Sequence, residues 1–444
     1  MKTKHTAKQK LNPLIEFRQA IFGCFKQAKD ALFELLDALL LSPRLTSFPE
    51  LSCVPVFRRK WSSLYECLQD GRIDDKQRLD LCLKNLPEND QLIVVGDSTP
   101  WPRLYTETLE DCSIQYKPTP IAIQKPITVG HAYSTLGVVP EEQGSWFLPL
   151  LHERIKSALT PGQKAAEQLK RLVELLAKRV LALFDSGYGN GKFLNLTAGI
   201  DCDLLLRVKP HRTLYRKPPP YCGRGRHPKH GSAFRLKDPQ TWGKPDQETE
   251  CDDPKLGPIK VQCWHDLHFK DAPGRPFHLL RIDRLKARNT KRDPKVVWLA
   301  YCGETREPSL VEYWRFYLRR YTIEHWYRFI KRNLNWILPA LSTPGQCQLW
   351  SQLILLASWE IFMAREVVKD QPRPWQKAQT ILTPGRVQQS LGPLFAGIGT
   401  PASAPKTRGK SPGWKKGRVR TKRTRFTLIK KHPKKPSQKT AKKC

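Results

Sequence analysis

The chain has 444 residues, 39% of them hydrophobic and 13 of them Trp, which is material for a substantial core and excludes wholesale disorder. Lys and Arg total 77 against 41 Asp and Glu, a formal charge of +36 at pH 7; a surplus of that size faces a polyanion, with nucleic acid ahead of an acidic membrane surface. The longest apolar stretches, near residues 31 and 349, are broken by Glu34, Asp37, Gln352 and Glu360, short of the roughly 18–20 apolar residues of a spanning helix.

Glu16 and Arg18 interrupt the apolar region behind Lys2 and Lys4, so the start does not read as a signal peptide. The 12 Cys are scattered without a CxxC, a pattern that fits reduced thiols in a cytoplasmic protein. Residues 1–90 read as a helical N-terminal domain. Asn12 offers an N-cap followed by Pro13, and Leu14, Phe17, Ile21, Phe25, Ala28, Leu32, Leu36 and Leu39 then recur at helical spacing. Shorter helical patterns follow at 57–68 and 75–83.

From 91 to 209 the pattern is α/β. QLIVVGDST, ITVGHAYSTLGVV and SWFLPLL read as strands, 163–179 as an amphipathic helix, and VLALFDSGYG and CDLLLRVK as further strands. Residues 210–308 read as a β-rich insertion with a basic loop and three more strand-like runs, IKVQCWHDLHF, FHLLRIDRL and KVVWLAYCG. The chain turns helical again over 309–369, including a nearly all-round apolar helix at 346–366 that should be buried. A Pro- and Gly-punctuated segment, 370–403, leads to a tail, 404–444, with 17 Lys and Arg and no acid; it is expected to stay disordered until it meets a partner.

The most specific constellation is in YLRRYTIEHWYRFIK. Tyr317, Arg320, Glu324 and Lys331 are spaced three, four and seven apart, so on one helix they fall within about a 60° arc. An acid flanked by two cations and a phenol suits phosphodiester chemistry, the acid holding a metal and the others phosphate oxygens. The same stripe is equally compatible with a solvated face carrying i,i+4 pairs. Asp97 and Asp185 each follow a buried-looking strand and precede Ser, so each is expected at a strand end. There each is either a turn residue or part of an all-oxygen site for Mg²⁺ or Mn²⁺.

The spacing Tyr317-x2-Arg320-x3-Glu324-x6-Lys331 resembles the Tyr-Arg-Glu-Lys signature of a large group of bacterial insertion-sequence DDE transposases. The resemblance implies a ribonuclease-H-like core, a mixed sheet flanked by helices, interrupted by the β-rich insertion. It implies Asp97, Asp185 and Glu324 as catalytic and metal-binding acids for two Mg²⁺ or Mn²⁺ ions. It also implies Tyr317, Arg320 and Lys331 as contacts to DNA phosphates. Double-stranded DNA, both element ends and target, is the implied partner, bound by a homodimer in a nucleoid-associated, bacterial setting without a membrane.

Other features carry less. Cys263, His265 and His268 might suggest zinc, but on a strand they do not share a face. Asp201 and Asp203 are expected to cap a turn, and Trp264 and Trp298 to be core residues ahead of base-stacking ones. The loop 224–230 reads as phosphate-contacting. The expected function is a transposase that binds element ends, cuts them and joins the 3′-hydroxyls to target DNA. A repressor that kept the fold and a structure-selective endonuclease without joining are the alternatives.

Overall fold

The computed structural model describes residues 2–430 other than 43, 105, 117–126, 222, 224, 254–256, 289, 291–293, 304–308, 408–412, 414 and 420. Arg224 and residues 431–444 of the basic tail, on which two of the expectations above fall, lie outside the described residues. The amino-terminal third opens with α1 (Lys2–Cys24), β1 (Phe25–Gln27), α2 (Lys29–Leu41), α3 (Ser62–Asp70), β2 (Arg72–Ile73) and α4 (Asp75–Lys84). Two expectations change here. Pro13 lies inside α1 and does not mark its start. The long periodic run is also two helices, because the chain leaves α1 at Phe25 to pair with Ile73 and re-enters through Ala28 in the left-handed region, φ 51°.

The sheet follows, with β3 (Ile93–Pro102), β4 (Ser113–Tyr116), β5 (Ile127–Val138) and β6 (Leu148–Ile155). Next come α5 (Pro161–Leu176), β7 (Val180–Gly189), α6 (Gly191–Leu196) and β8 (Cys202–Val208). α5 starts where Thr160 and Gln163 cap each other reciprocally around Pro161, and it buries Ala165, Ala166, Leu169 and Leu172. β6, β5, β3, β7 and β8 lie side by side in that order. β3, β7 and β8 are parallel, while β5 runs antiparallel to both of its neighbours, β3 and β6. This is the expected ribonuclease-H-like α/β architecture: a mixed sheet with helices against it.

The β-rich stretch contains β9 (Thr213–Tyr215), β10 (Ala233–Arg235), β11 (Gln247–Asp253), β12 (Gly257–Phe269), β13 (Phe277–Arg284) and β14 (Val296–Cys302). β14 pairs with β8, so these strands extend the same sheet, which has 12 strands among the described residues. The chain then forms α7 (Leu310–Arg319), α8 (Tyr321–Arg332), α9 (Pro344–Ala364), α10 (Pro384–Gln389) and α11 (Leu391–Ile398). No helix of the described residues is long and apolar enough to cross a membrane.

α9 explains its all-round apolar composition. It is capped by Thr343 and Gln346 and has β6 on one side and α1, α2 and α3 on others, with Trp350 and Trp359 fully buried. The N-terminal helices therefore share a hydrophobic core with the sheet. Beyond 404 the described tail is mostly exposed, but part of it docks. The Phe426 and Ile429 N–H groups donate to the Glu107 and Cys112 carbonyls, and Ile429 bridges Ser113 at the start of β4.

The same helical layer buries charge. Arg18 of α1 reaches Asp37 of α2 at 2.9 Å and Glu360 of α9 at 2.6 Å, all three almost without exposure. Burial pushes Glu360 up to about 7, against the pull of Arg18. Removing the cation would strand two buried carboxylates, so Arg18→Met is expected to lower unfolding free energy by about 3–5 kcal/mol. Urea denaturation of the variant beside Glu360→Gln checks it. The amide substitution relieves a charge where Arg18→Met orphans two, so it should cost clearly less.

Candidate active site

β3 and β7 bury Val94, Val95, Ala182 and Leu183, and apolar runs of that kind make parallel central strands. Their ladder runs from Ile93–Leu181 to Gly96–Phe184 and stops. At Gly96 a Cβ would lie 2.1 Å from the Phe184 ring and 2.9 Å from Leu136, so any side chain here would have to push one of them aside. The next residue on each strand is Asp97 and Asp185. They stand beside each other where the two strands part, not at the strand ends expected, because β3 continues to Pro102 on its pairing with β5 and β7 continues to Gly189. Backbone N–H groups orient both: Ser98 donates to Asp97 Oδ1 at 2.7 Å and Gly187 to Asp185 Oδ1 at 2.8 Å.

α8 crosses near this point. Glu324 lies in its first turn, with the side chain roughly half exposed, and Arg320 donates to its Oε1. Arg320 occupies the junction of α7 and α8 in helical conformation, but its N–H bonds Tyr317 three residues back. The expected single stripe is therefore split between two helices. Tyr317 is completely buried, and the Arg320 guanidinium carbon is 5.7 Å over its ring. Arg320 is itself 3% exposed, so in this structure it faces Glu324 and Asp97 instead of solvent. Burial opposes its charge, but Tyr317, Glu324 and Asp97 outweigh that and hold its pKa well above the usual range.

Lys331, two turns on, donates to Thr99 of β3. Between them Tyr327, which the sequence reading passed over, points its hydroxyl at the Asp97 carbonyl (2.9 Å) and at Thr135 Oγ1 (2.8 Å). Thr135 lies opposite Asp97 on β5 and is 2.8 Å from His152 Nδ1. This buried chain fixes α8 to the backbone of the strand that carries Asp97. Its signal was available: Tyr327 follows Glu324 by three residues and so shares its side of the helix.

Electrostatics single out Asp97. Desolvation by the surrounding protein and the Asp185 charge push its carboxyl up to about 7, with Glu324 adding to the rise and Arg320 opposing it. An oxygen pair under that strain suits a hard divalent cation, which would offset both charges. Glu324 is held toward Arg320, and as the side chains stand no group of three or more His, Cys, Asp or Glu among the described residues is set closely enough to hold an ion. The two aspartates thus fit such a group, with the glutamate beside them but turned away.

The remaining candidates fall elsewhere. Asp201 and Asp203 pair with Arg179 near the start of β8. Trp264 and Trp298 are buried in the extended sheet, as a core reading expects. β12 bulges at Asp266, φ 54°, and buries His268 against His230, with 3.0 Å between ring nitrogens.

A family model described as DDE superfamily endonuclease matches residues 20–262. That span includes Asp97 and Asp185 and ends before Glu324. No curated protein matches the chain.

Two outcomes follow from this geometry. Gly96→Ala must displace Phe184 or Leu136 and should cost about 1–3 kcal/mol of unfolding free energy in chemical denaturation. Burial and the Lys331 charge hold His152 at about 3, below its ordinary 6.5. Its neutral form therefore contributes stability that is complete above pH 6.5 and is lost as pH falls from there toward 3. The pH dependence of the urea midpoint over that window should be shallower in His152→Gln than in the parent.

Proposed function

The chain belongs to the DDE superfamily of endonucleases, and on that premise we propose that it is a transposase of the Tyr-Arg-Glu-Lys group, cutting DNA at element ends and joining the 3′-hydroxyls to target DNA. The observation that carries the reading is that Asp97 and Asp185 stand side by side where the β3–β7 ladder ends, with Glu324 on α8 near them and paired to Arg320. That third acid comes from outside the matched family span.

Endonucleases of this superfamily generally use divalent metals. In this reading Asp97 and Asp185 would hold Mg²⁺ or Mn²⁺, Glu324 would join them on release from Arg320, and the ions when bound would supply positive charge to the attacking and leaving oxygens. The chain's own groups do the rest. Arg320, freed in turn, would meet a phosphate next to the scissile bond, and Lys331 would meet another along β3. Tyr317 is too deeply buried to reach DNA and would act by supporting Arg320. Tyr327 would keep the Asp97 backbone fixed while these partners exchange. The N-terminal helices and the basic tail would contribute binding to double-stranded DNA, and a homodimer would bring two ends together.

Asp97→Asn, Asp185→Asn and Glu324→Gln are each expected to reduce Mg²⁺-dependent cleavage of end DNA by about 10³-fold or more while leaving DNA binding nearly intact. Gel assays of nicked and joined products measure both. Wild-type cleavage by any one of them would remove that acid from the site, and nicking with no joined product would leave an endonuclease without strand transfer. Arg320→Lys keeps the charge but loses the bidentate fork, so strand transfer should fall in it while bulk DNA affinity does not.

A further inference from the structure

Helix α8 has a second working face. His325, Arg328, Phe329 and Arg332 lie within about a 100° arc, turned roughly 110° from the side that carries Arg320, Glu324 and Lys331. This face forms one wall of a cleft of about 690 Å³. That is within the range of small-ligand pockets, roughly 300–1,000 Å³, and leaves room for a base with its sugar and phosphate.

The chemistry of the lining is one-sided. Arg44, Arg328 and Arg332 border the cleft, all exposed, and no Asp or Glu is among the residues that line it. None of the three makes a salt bridge or side-chain hydrogen bond among the described residues. The floor is aromatic, built from Trp146, Phe147 and Trp326, with Phe329 half-buried at the side. Both indole N–H groups are already used, Trp146 donating to the Leu382 carbonyl and Trp326 to Ser358 Oγ, so what they offer the cleft is ring surface.

Unpaired cations and aromatic side chains lining one cleft, with no acid in that lining, match a ligand that carries both phosphate and a flat apolar ring. A single DNA strand has both at every nucleotide, whereas in a duplex the rings are stacked away inside. An acidic peptide would use the arginines and leave the aromatic floor idle, and the chain's own tail has the wrong sign of charge. We propose that this cleft binds unpaired DNA, with a base against Trp326 and Phe329 and the flanking phosphates on Arg44, Arg328 and Arg332. The inference rests on the DNA-cutting reading and deepens it. One helix would then hold the scissile phosphodiester on one face and an unpaired nucleotide of the same substrate on the next.

The test uses the full chain in EDTA, so that cleavage plays no part. The probe is an oligothymidine carrying one 2-aminopurine, whose fluorescence falls on stacking, beside a duplex of equal length. Arg328→Glu with Arg332→Glu changes two exposed side chains and should leave the thermal melt unchanged. Single-strand affinity should fall at least about tenfold and duplex affinity less than about threefold. Phe329→Ala should keep most affinity but lose the fluorescence quench. Equal losses on duplex and single strand, or competition by polyglutamate as strong as by the oligonucleotide, would overturn the proposal. The two readings fail separately: a parent chain that cuts nothing but shows the selective single-strand loss keeps the cleft and loses the nuclease. A chain that cuts normally but binds single strands unchanged in the double variant loses only the cleft.

Discussion

Gly96 and Phe184 make the last contact of the parallel ladder between β3 and β7, and the ring of Phe184 fills the space where residue 96 would carry a side chain. That contact holds two strands together up to a fixed residue and lets them part at the next. Two carboxylates are thereby placed on adjacent strands, one residue past the last ladder pair, without any loop to position them. The strands behind them are buried on both sides, so the acids inherit the rigidity of the core. β5 continues the support: Thr135 stands opposite Asp97 and connects through Tyr327 to α8.

Buried arginine solves a similar problem twice. Arg18 satisfies Asp37 and Glu360 between three helices, and Arg320 lies among Glu324, Asp97 and Tyr317 beside the sheet. Their settings differ. Arg18 has both carboxylates enclosed, so separation would expose charges to a low-dielectric interior and the arrangement is permanent. Glu324 is about half exposed, so its carboxylate is reached by water as well as by Arg320. The first arrangement is a structural joint with every charge enclosed, and the second has one partner open to solvent.

Much of this was legible in the sequence for physical reasons. Continuous apolar runs ending in Asp marked β3 and β7 because parallel strands are buried on both faces, and the all-round apolar α9 could only be internal. What escaped was tertiary. Helical periodicity runs on through 25–28, and nothing local announces that Phe25 will pair with a strand nearly fifty residues on. Spacing placed Tyr317 on the same stripe as Glu324, but it could not show that Tyr317 would be buried or that Arg320 would turn inward. The strand-like runs after 210 were recognised as strands. That they would continue the central sheet through β14 and β8 depends on pairing that no periodicity encodes.

The docked part of the tail has a consequence for solubility. β4 lies at one margin of the sheet, and the backbone around Ile429 bridges it at Ser113 while Phe426 and Ile429 take up nearby carbonyls. An open margin of this kind is a template on which a second copy could pair strand to strand. Here it is partly covered by the chain's own strongly basic segment. The covering hydrogen bonds are local, while the positive charge around them repels another copy at longer range. Residues 423–430 therefore act as a selvedge for the sheet, covering part of a border on which a second copy could otherwise pair.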